Sequence, residues 1–193
     1  EGWLDSPVFE RMMLKNNHHI VDYKLNNRLV KNFSISHHVD FTFQDNERVL
    51  FDGKKGKRVY RGTSIEEAKT WLGVVEEDLE IEVKLKDVDQ INYVTLSILE
   101  NQDMKALYPK RIEVFGKSSQ GNYELLNALN IPVQKDPDER ISYFKDFTLA
   151  VDLKGYNEVK VVGVGHGKFP DAPVYRKSIK RNAWIFADEQ IFW

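Results

Sequence analysis

An antiparallel all-β sandwich is the fold class this sequence predicts, and three observations predict it. Residues 79–86 alternate apolar and charged side chains without a fault. Segments of similar pattern recur from about Asp52 to the end of the chain, separated by Gly, Asn, Asp and Ser turn residues. Long stretches of 3.6-residue periodicity are almost absent, so nothing competes with a sheet for the core.

Taken in order, the first forty-five residues carry short strand-like pieces at Val8-Phe9, Ile20-Val21, Leu29-Val30 and Phe41-Thr42-Phe43. Asn16-Asn17 and Asn26-Asn27 interrupt them, and the pieces are too few to bury both faces of a sheet. They read as the tail of a preceding β module over 1–45, a small N-terminal β appendage, or as strands laid against the main sandwich of 46–193. The boundary falls at Gln44-Asp45-Asn46-Glu47. A single helical candidate, residues 64–70, has Ser64 and Glu67 at capping-box spacing, but at barely two turns it is a loop ornament.

In residues 79–86, Leu79, Ile81, Val83 and Leu85 face one way while Glu80, Glu82, Lys84 and Lys86 face the other, the pattern of a half-buried strand. The next strand places Val94, Leu96 and Ile98 inward and Tyr93, Thr95 and Ser97 outward. Residues 111–115 turn through 118–122 into a strand at 123–126, with Gly121 where a positive φ is needed. Residues 144–151 and 159–164 read as a further antiparallel pair around Lys154-Gly155-Tyr156-Asn157, and an aromatic strand over 183–193 closes the fold.

Composition narrows the function. The 193 residues are 41% hydrophobic and 12% aromatic, enough for a real core in one domain with a smaller attachment. Net charge is -2 with both signs scattered, so the basic footprint of a nucleic-acid binder is missing. Lys54-Lys55-Gly56-Lys57-Arg58 is a local basic run that reads as a solvated turn. Without cysteine, disulfide scaffolds, thiolate nucleophiles and Cys-ligated zinc drop out together. No apolar run of the ~18 residues that a membrane span needs is present, nor a signal-peptide core. The chain starts at Glu1, as expected of a processed form or a piece of a longer protein.

The order of these landmarks carries a resemblance. Leu50-Phe51-Asp52-Gly53, Trp71-Leu72-Gly73 and Asp78-Leu79-Glu80 resemble the opening of discoidin-like, galactose-binding-like domains, and residues 109–114 with Ser118 and Gly121 look like their central hairpin. Lys160-Val161-Val162, then His166-Gly167-Lys168-Phe169-Pro170 and Ala183-Trp184-Ile185-Phe186-Ala187-Asp188-Glu189, are similar to the module at the C-terminus of Bacteroidetes family-20 glycoside hydrolases, the β-N-acetylhexosaminidases. Asp5-Ser6-Pro7-Val8-Phe9 looks like the end of the immunoglobulin-like chitobiase C-terminal module that precedes it there. The resemblance implies a galactose-binding-like jelly-roll sandwich and a periplasmic, cell-surface or secreted location.

It also implies where a ligand would sit. Such domains bind sugars on loops at one end, where a ring stacks on the apolar face of a pyranose and polar side chains take its hydroxyls. The candidates by position are His166, Trp71, Tyr108, Arg61 and Asp103. Trp71 and Tyr108 also suit packing roles, and where related domains carry a Trp before the proline matching Pro109, this chain has Met104-Lys105-Ala106-Leu107. Many of these domains hold a structural calcium, whose ligands here would be Asp52 and Glu189; otherwise Asp52 caps a turn and Glu189 pairs with a base such as Arg181.

Other constellations lead nowhere. The neighbours in His18-His19 and His37-His38 point to opposite faces of a strand, so neither pair chelates zinc alone, and a site built from one member of each would need a hairpin between residues 20 and 36. Glu76, Glu77 and Asp78 sit on a loop, without the second carboxylate across a cleft that glycoside hydrolysis requires. The expectation is therefore a non-catalytic accessory module of a bacterial glycoside hydrolase, binding glycan weakly or targeting substrate. Its partners are a glycan and an upstream catalytic domain of the same polypeptide, with no nucleic acid and no membrane span. A ligand-free structural brace between modules is the alternative.

Overall fold

The computed structural model describes residues 17–26, 33–36, 39–41, 49–57, 70–102, 104–134, 141–170 and 181–193. Two antiparallel sheets form the body, as the alternation in 79–86 requires once its apolar face needs a partner layer. The larger sheet has the order β1-β5-β10-β7-β8, from Ile20–Leu25, Leu79–Leu85, Glu158–Val164, Arg111–Lys117 and Tyr123–Asn130. The smaller has the order β4-β11-β6-β9, from Leu72–Val75, Trp184–Phe192, Tyr93–Glu100 and Tyr143–Ala150. A separate hairpin joins β2, Phe33–Ser36, to β3, Val39–Phe41.

The core lies between the two sheets. Leu79, Ile81 and Val83 of β5, Val159 and Val161 of β10, and Ile112 and Val114 of β7 meet Val94, Leu96 and Ile98 of β6, Phe147 and Leu149 of β9, and Ile185 of β11. Each is buried, as the period-2 pattern requires of one face per strand. Gly121, at φ 85, closes the β7–β8 hairpin with Gly121 N–H donating to the Ser118 carbonyl over 2.9 Å.

One feature differs from the sequence expectation, and a second matches one of its alternatives. β9 and β10 are not a hairpin: β9 pairs with β6, and β10 lies between β5 and β7 in the other sheet. Residues 151–157 are an arch over the core, because Phe147 and Leu149 on one side and Val159 and Val161 on the other bury their apolar faces against each other across the layers rather than side by side. The second feature concerns residues 20–25. β1 is an edge strand of the larger sheet, with Tyr23 opposite Val83 and Leu25 opposite Ile81, so this piece of the N-terminal region is laid against the sandwich.

The boundary expected at 44–47 lies outside the described residues, as does nearly all of the helical candidate at 64–70. Among the described residues, no helix is long and apolar enough to cross a membrane.

Candidate functional site

β11 is buried along all nine of its residues, including three that carry polar side chains in succession, Asp188, Glu189 and Gln190. The cause is a bulge. Ala187 pairs with Ile98 and Gln190 with Leu96, which leaves both Asp188 and Glu189 opposite the single residue Ser97. An extra residue at that point turns two adjacent carboxylates toward the segment 52–57, which runs across them.

That segment meets the carboxylates with backbone N–H groups. Gly53 and Lys54 donate to Glu189 Oε1 over 2.7 and 3.1 Å, and Gly56 donates to Asp188 Oδ2. Asp52 accepts from Lys54 N–H at 2.8 Å, the turn-capping role expected of it, and its carboxyl also hydrogen-bonds Glu189. Burial, that shared hydrogen bond and the neighbouring Asp188 push Glu189 up to about 10. Burial likewise pushes Asp188 up to about 7, against the pull of the Lys55 ammonium. Lys55 bonds Ser97 and Asp146 on the adjoining strands. Glu189 thus meets backbone N–H groups and a second carboxyl, where the sequence offers Arg181 as its counter-charge.

Three carboxylates on one loop and one bulge supply a donor set of the hard-oxygen kind that calcium takes. Asp188 Oδ1 is buried with no hydrogen-bond partner, and the Asp52 carboxyl lies within hydrogen-bond reach of Glu189. The unpaired oxygen fits a cation at this place. Among the described residues no three side chains converge as a complete metal-holding group, so an ion here would draw on backbone oxygens as well.

The loop end of the sandwich lies elsewhere. Glu100 ends β6, residues 101–110 lead to β7, and His166 follows β10 beside them. His166 is half-buried and bonds the backbone of Tyr108; burial and the charge of Lys110 hold it below its ordinary value. A hydrogen bond that favours the protonated ring is one the ring donates, so the Tyr108 carbonyl takes one imidazole N–H. The other ring nitrogen of the neutral ring is then an acceptor. Glu100 accepts from Tyr108 N–H at 3.2 Å and thereby clamps the same loop from within.

The remaining predicted site residues are distributed as follows. Tyr108 is 8% exposed, with its hydroxyl donating to the Tyr143 carbonyl at 3.2 Å and its ring edge-on to Phe147. Trp71 is 1% exposed; its Nε1 donates to the Lys57 carbonyl at 2.7 Å and its ring packs on Phe144. So Tyr108 and His166 are brought together, whereas Trp71 covers the outer face of the smaller sheet and pins the 52–57 segment. Arg61 and Asp103 lie outside the described residues, as do His37 and His38. His19 is buried against the Lys86 carbonyl at 3.2 Å, which gives that ring a packing role.

Sequence reasoning missed Asp188, Lys55, Ser97 and Asp146. A bulge inside an apolar strand has no signal beyond the Asp-Glu-Gln triplet itself, polar residues at three consecutive positions of a buried run.

No family model matches the chain, and no curated protein matches it. Among solved structures, CpGH89CBM32-5 from Clostridium perfringens, in complex with GalNAc-β-1,3-galactose, is 15% identical, with 89% of this chain and 94% of that one covered and a TM-score of 0.44. A Streptococcus pneumoniae fucose binding module is 12% identical over 92% and 94%, with a TM-score of 0.42. The C-terminal domain of a chitobiase from Bacteroides fragilis is 12% identical over 91% and 95%, with a TM-score of 0.40.

Proposed function

We propose that this chain is a non-catalytic carbohydrate-binding module attached to a glycan-degrading enzyme, a β-N-acetylhexosaminidase by its sequence resemblance. The observation that supports the reading is the loop end around His166. A neutral imidazole with one N–H tied to Tyr108 offers a fixed acceptor to a sugar hydroxyl, and Lys110 beside it offers donors. Single contacts of this sort are weak. Tethering turns them into a raised local concentration of enzyme near polymer or host glycan.

In the same reading Asp52 and Glu189, with the free oxygen of Asp188, hold a structural calcium. The ion would neutralise the buried carboxylate charge and fix the 52–57 segment on the bulge of β11.

A second reading, the ligand-free brace, is favoured by one observation: Trp71 and Tyr108, the two rings expected to stack on sugar, are spent in packing. Binding assays on immobilised N-acetylglucosamine, galactose and host-type glycans separate the two. Saturable binding lost in His166→Ala supports recognition, and silence across the panel supports the brace. Release of the aryl group from an aryl N-acetylglucosaminide by this chain alone would overturn both.

A further inference from the structure

With Trp71 and Tyr108 buried, and Phe144 at 37% exposure packed on Trp71, a pair of exposed rings remains at the other end of the body. Tyr93 starts β6 and Trp193 follows β11, and the two face each other directly across the strands. Tyr93 N–H donates to the Trp193 carbonyl at 2.7 Å and Trp193 N–H to the Tyr93 carbonyl at 3.0 Å. Both side chains therefore project from the same outer face of the smaller sheet, opposite to Val94 and Phe192, which point into the core. Their ring centroids are 4.8 Å apart at 32°, and the residues are 40% and 45% exposed.

A lone exposed ring is ordinary, but this pair is held. The indole Nε1 donates to Thr95 Oγ1 at 3.0 Å, and Thr95 Oγ1 is 2.8 Å from Thr148 Oγ1. The indole plane is thus fixed by a tilted ring contact, a side-chain hydrogen bond and two backbone bonds, so little rotamer freedom remains to be lost on binding. Beyond the rings the outer face turns polar: exposed Thr148 is one rung along, and Asp146, bonded to Lys55 and Ser97, is the next. Along β6 and β9 this makes a strip about 13 Å long, from rings through hydroxyls to a charged pair.

We propose that this strip is a second carbohydrate-binding surface, in which the Tyr93–Trp193 rings take the flat C–H face of a pyranose and Thr148 and Asp146 take hydroxyls of that sugar or the next. The chemistry is that of an apolar face beside a polar rim. A protein partner would ask for a wider apolar centre, whereas here two rings are bordered at once by hydroxyl and carboxylate. The loop end with His166 lies at the far end of β6, about 20 Å away, so the two surfaces would engage separate sugars of one glycan or separate chains. This inference does not depend on His166 binding anything.

The test follows the indole N–H signal of Trp193 in protein labelled with 15N-tryptophan, during titration with chitotriose and, separately, lactose. The expected result is a saturable shift of the Trp193 signal with at least one sugar and, by calorimetric titration of the native protein and every variant, an affinity at least tenfold weaker in Trp193→Ala and Tyr93→Ala and within threefold in Trp193→Phe and His166→Ala. Unmoved signals of buried Trp71 and Trp184 in the variants show that they fold. Binding that is lost in His166→Ala and survives Trp193→Ala would overturn the second surface and leave the loop-end reading standing. A Trp193 shift that depends on protein concentration rather than sugar would assign the strip to self-association and also overturn it. Absence of any shift with either sugar refutes the strip outright.

Discussion

Replacing Glu100 by Gln tests whether burial of that carboxyl governs how stability depends on pH. Glu100 is 2% exposed, and burial pushes it up to about 7, outweighing the hydrogen bonds from Tyr108 N–H and Gln134 that act in the opposite direction. Because its value is higher in the folded chain than in the unfolded one, the folded state holds the proton more tightly. The associated stability is complete below about 4.5 and is lost as pH rises toward 7. Each tenfold difference in proton affinity is worth ~1.4 kcal/mol, so a displacement from 4.5 to about 7 removes roughly 3 kcal/mol by pH 8, and under 1 kcal/mol of that is gone at pH 5. Gln keeps an oxygen for Tyr108 N–H and cannot ionise. Urea unfolding of both proteins at pH 5, 6, 7 and 8 should therefore show Glu100→Gln gaining about 2 to 3 kcal/mol on the native protein between the extremes, whatever its offset at pH 5. A difference between the two that stays flat with pH would refute the reasoning, since every other titrating group is common to both chains.

Three further outcomes follow from the same structure. A Cβ on Gly56 would stand 2.3 Å from Trp71 Cε2, and Trp71 is buried and tethered, so Gly56→Ala should cost roughly 1–3 kcal/mol by urea unfolding; Gly121→Ala, where the added carbon meets nothing and only φ opposes it, should cost about 1 kcal/mol. If the two are equal, the close packing of that segment is wrong. Calcium at a hundredfold excess over its dissociation constant should add ~2.7 kcal/mol, seen as a rise in Tm over the protein in chelator, and the rise should vanish in Asp52→Asn and Glu189→Gln. Asp188→Asn should stabilise the calcium-free protein at pH 8 relative to pH 5, because burial pushes Asp188 up to about 7 and its cost grows as pH rises through that range; thermal unfolding at the two pH values checks the sign.

The strands that alternate cleanly are those the sequence exposes. β5 and β7 fall close to their expected bounds because a strand with one wetter face writes its orientation into every second residue. β11 writes no such pattern, being covered on both faces, and its bulge is invisible without knowing its neighbour. The pairing of β9 and β10 failed for a related reason: a connection of seven residues with a glycine suits a hairpin and an arch equally, and the choice is made by which faces meet across the core. At the candidate sites, the residue types were legible and their surroundings were not. Trp71 reads alike as a stacking ring and a core ring until Gly56, with no side chain of its own, is seen against it.

That last contact shows how the outer face of the smaller sheet is divided. Toward the loop end the 52–57 segment lies over it, anchored by three N–H bonds to the bulge carboxylates and by the Trp71 indole on the Lys57 carbonyl. Lys55 reaches from this cover to Ser97 and Asp146, and Ser97 is consequently 2% exposed although it points away from the core. Past Ser97 the described segment no longer reaches, and the same face emerges through Thr148 to the Tyr93–Trp193 pair. Because Lys55 marks the limit between covered and open sheet, loosening the anchor has a directional consequence. Glu189→Ala should expose Ser97 and release Asp146 from Lys55 while leaving the Trp193–Thr95 bond intact. Amide exchange should then quicken at Gly53, Lys54 and Gly56 and stay unchanged at Tyr93 and Trp193. Equal quickening at both ends would mean that the cover and the ring platform are one cooperative unit, and the division argued from Lys55 would fail.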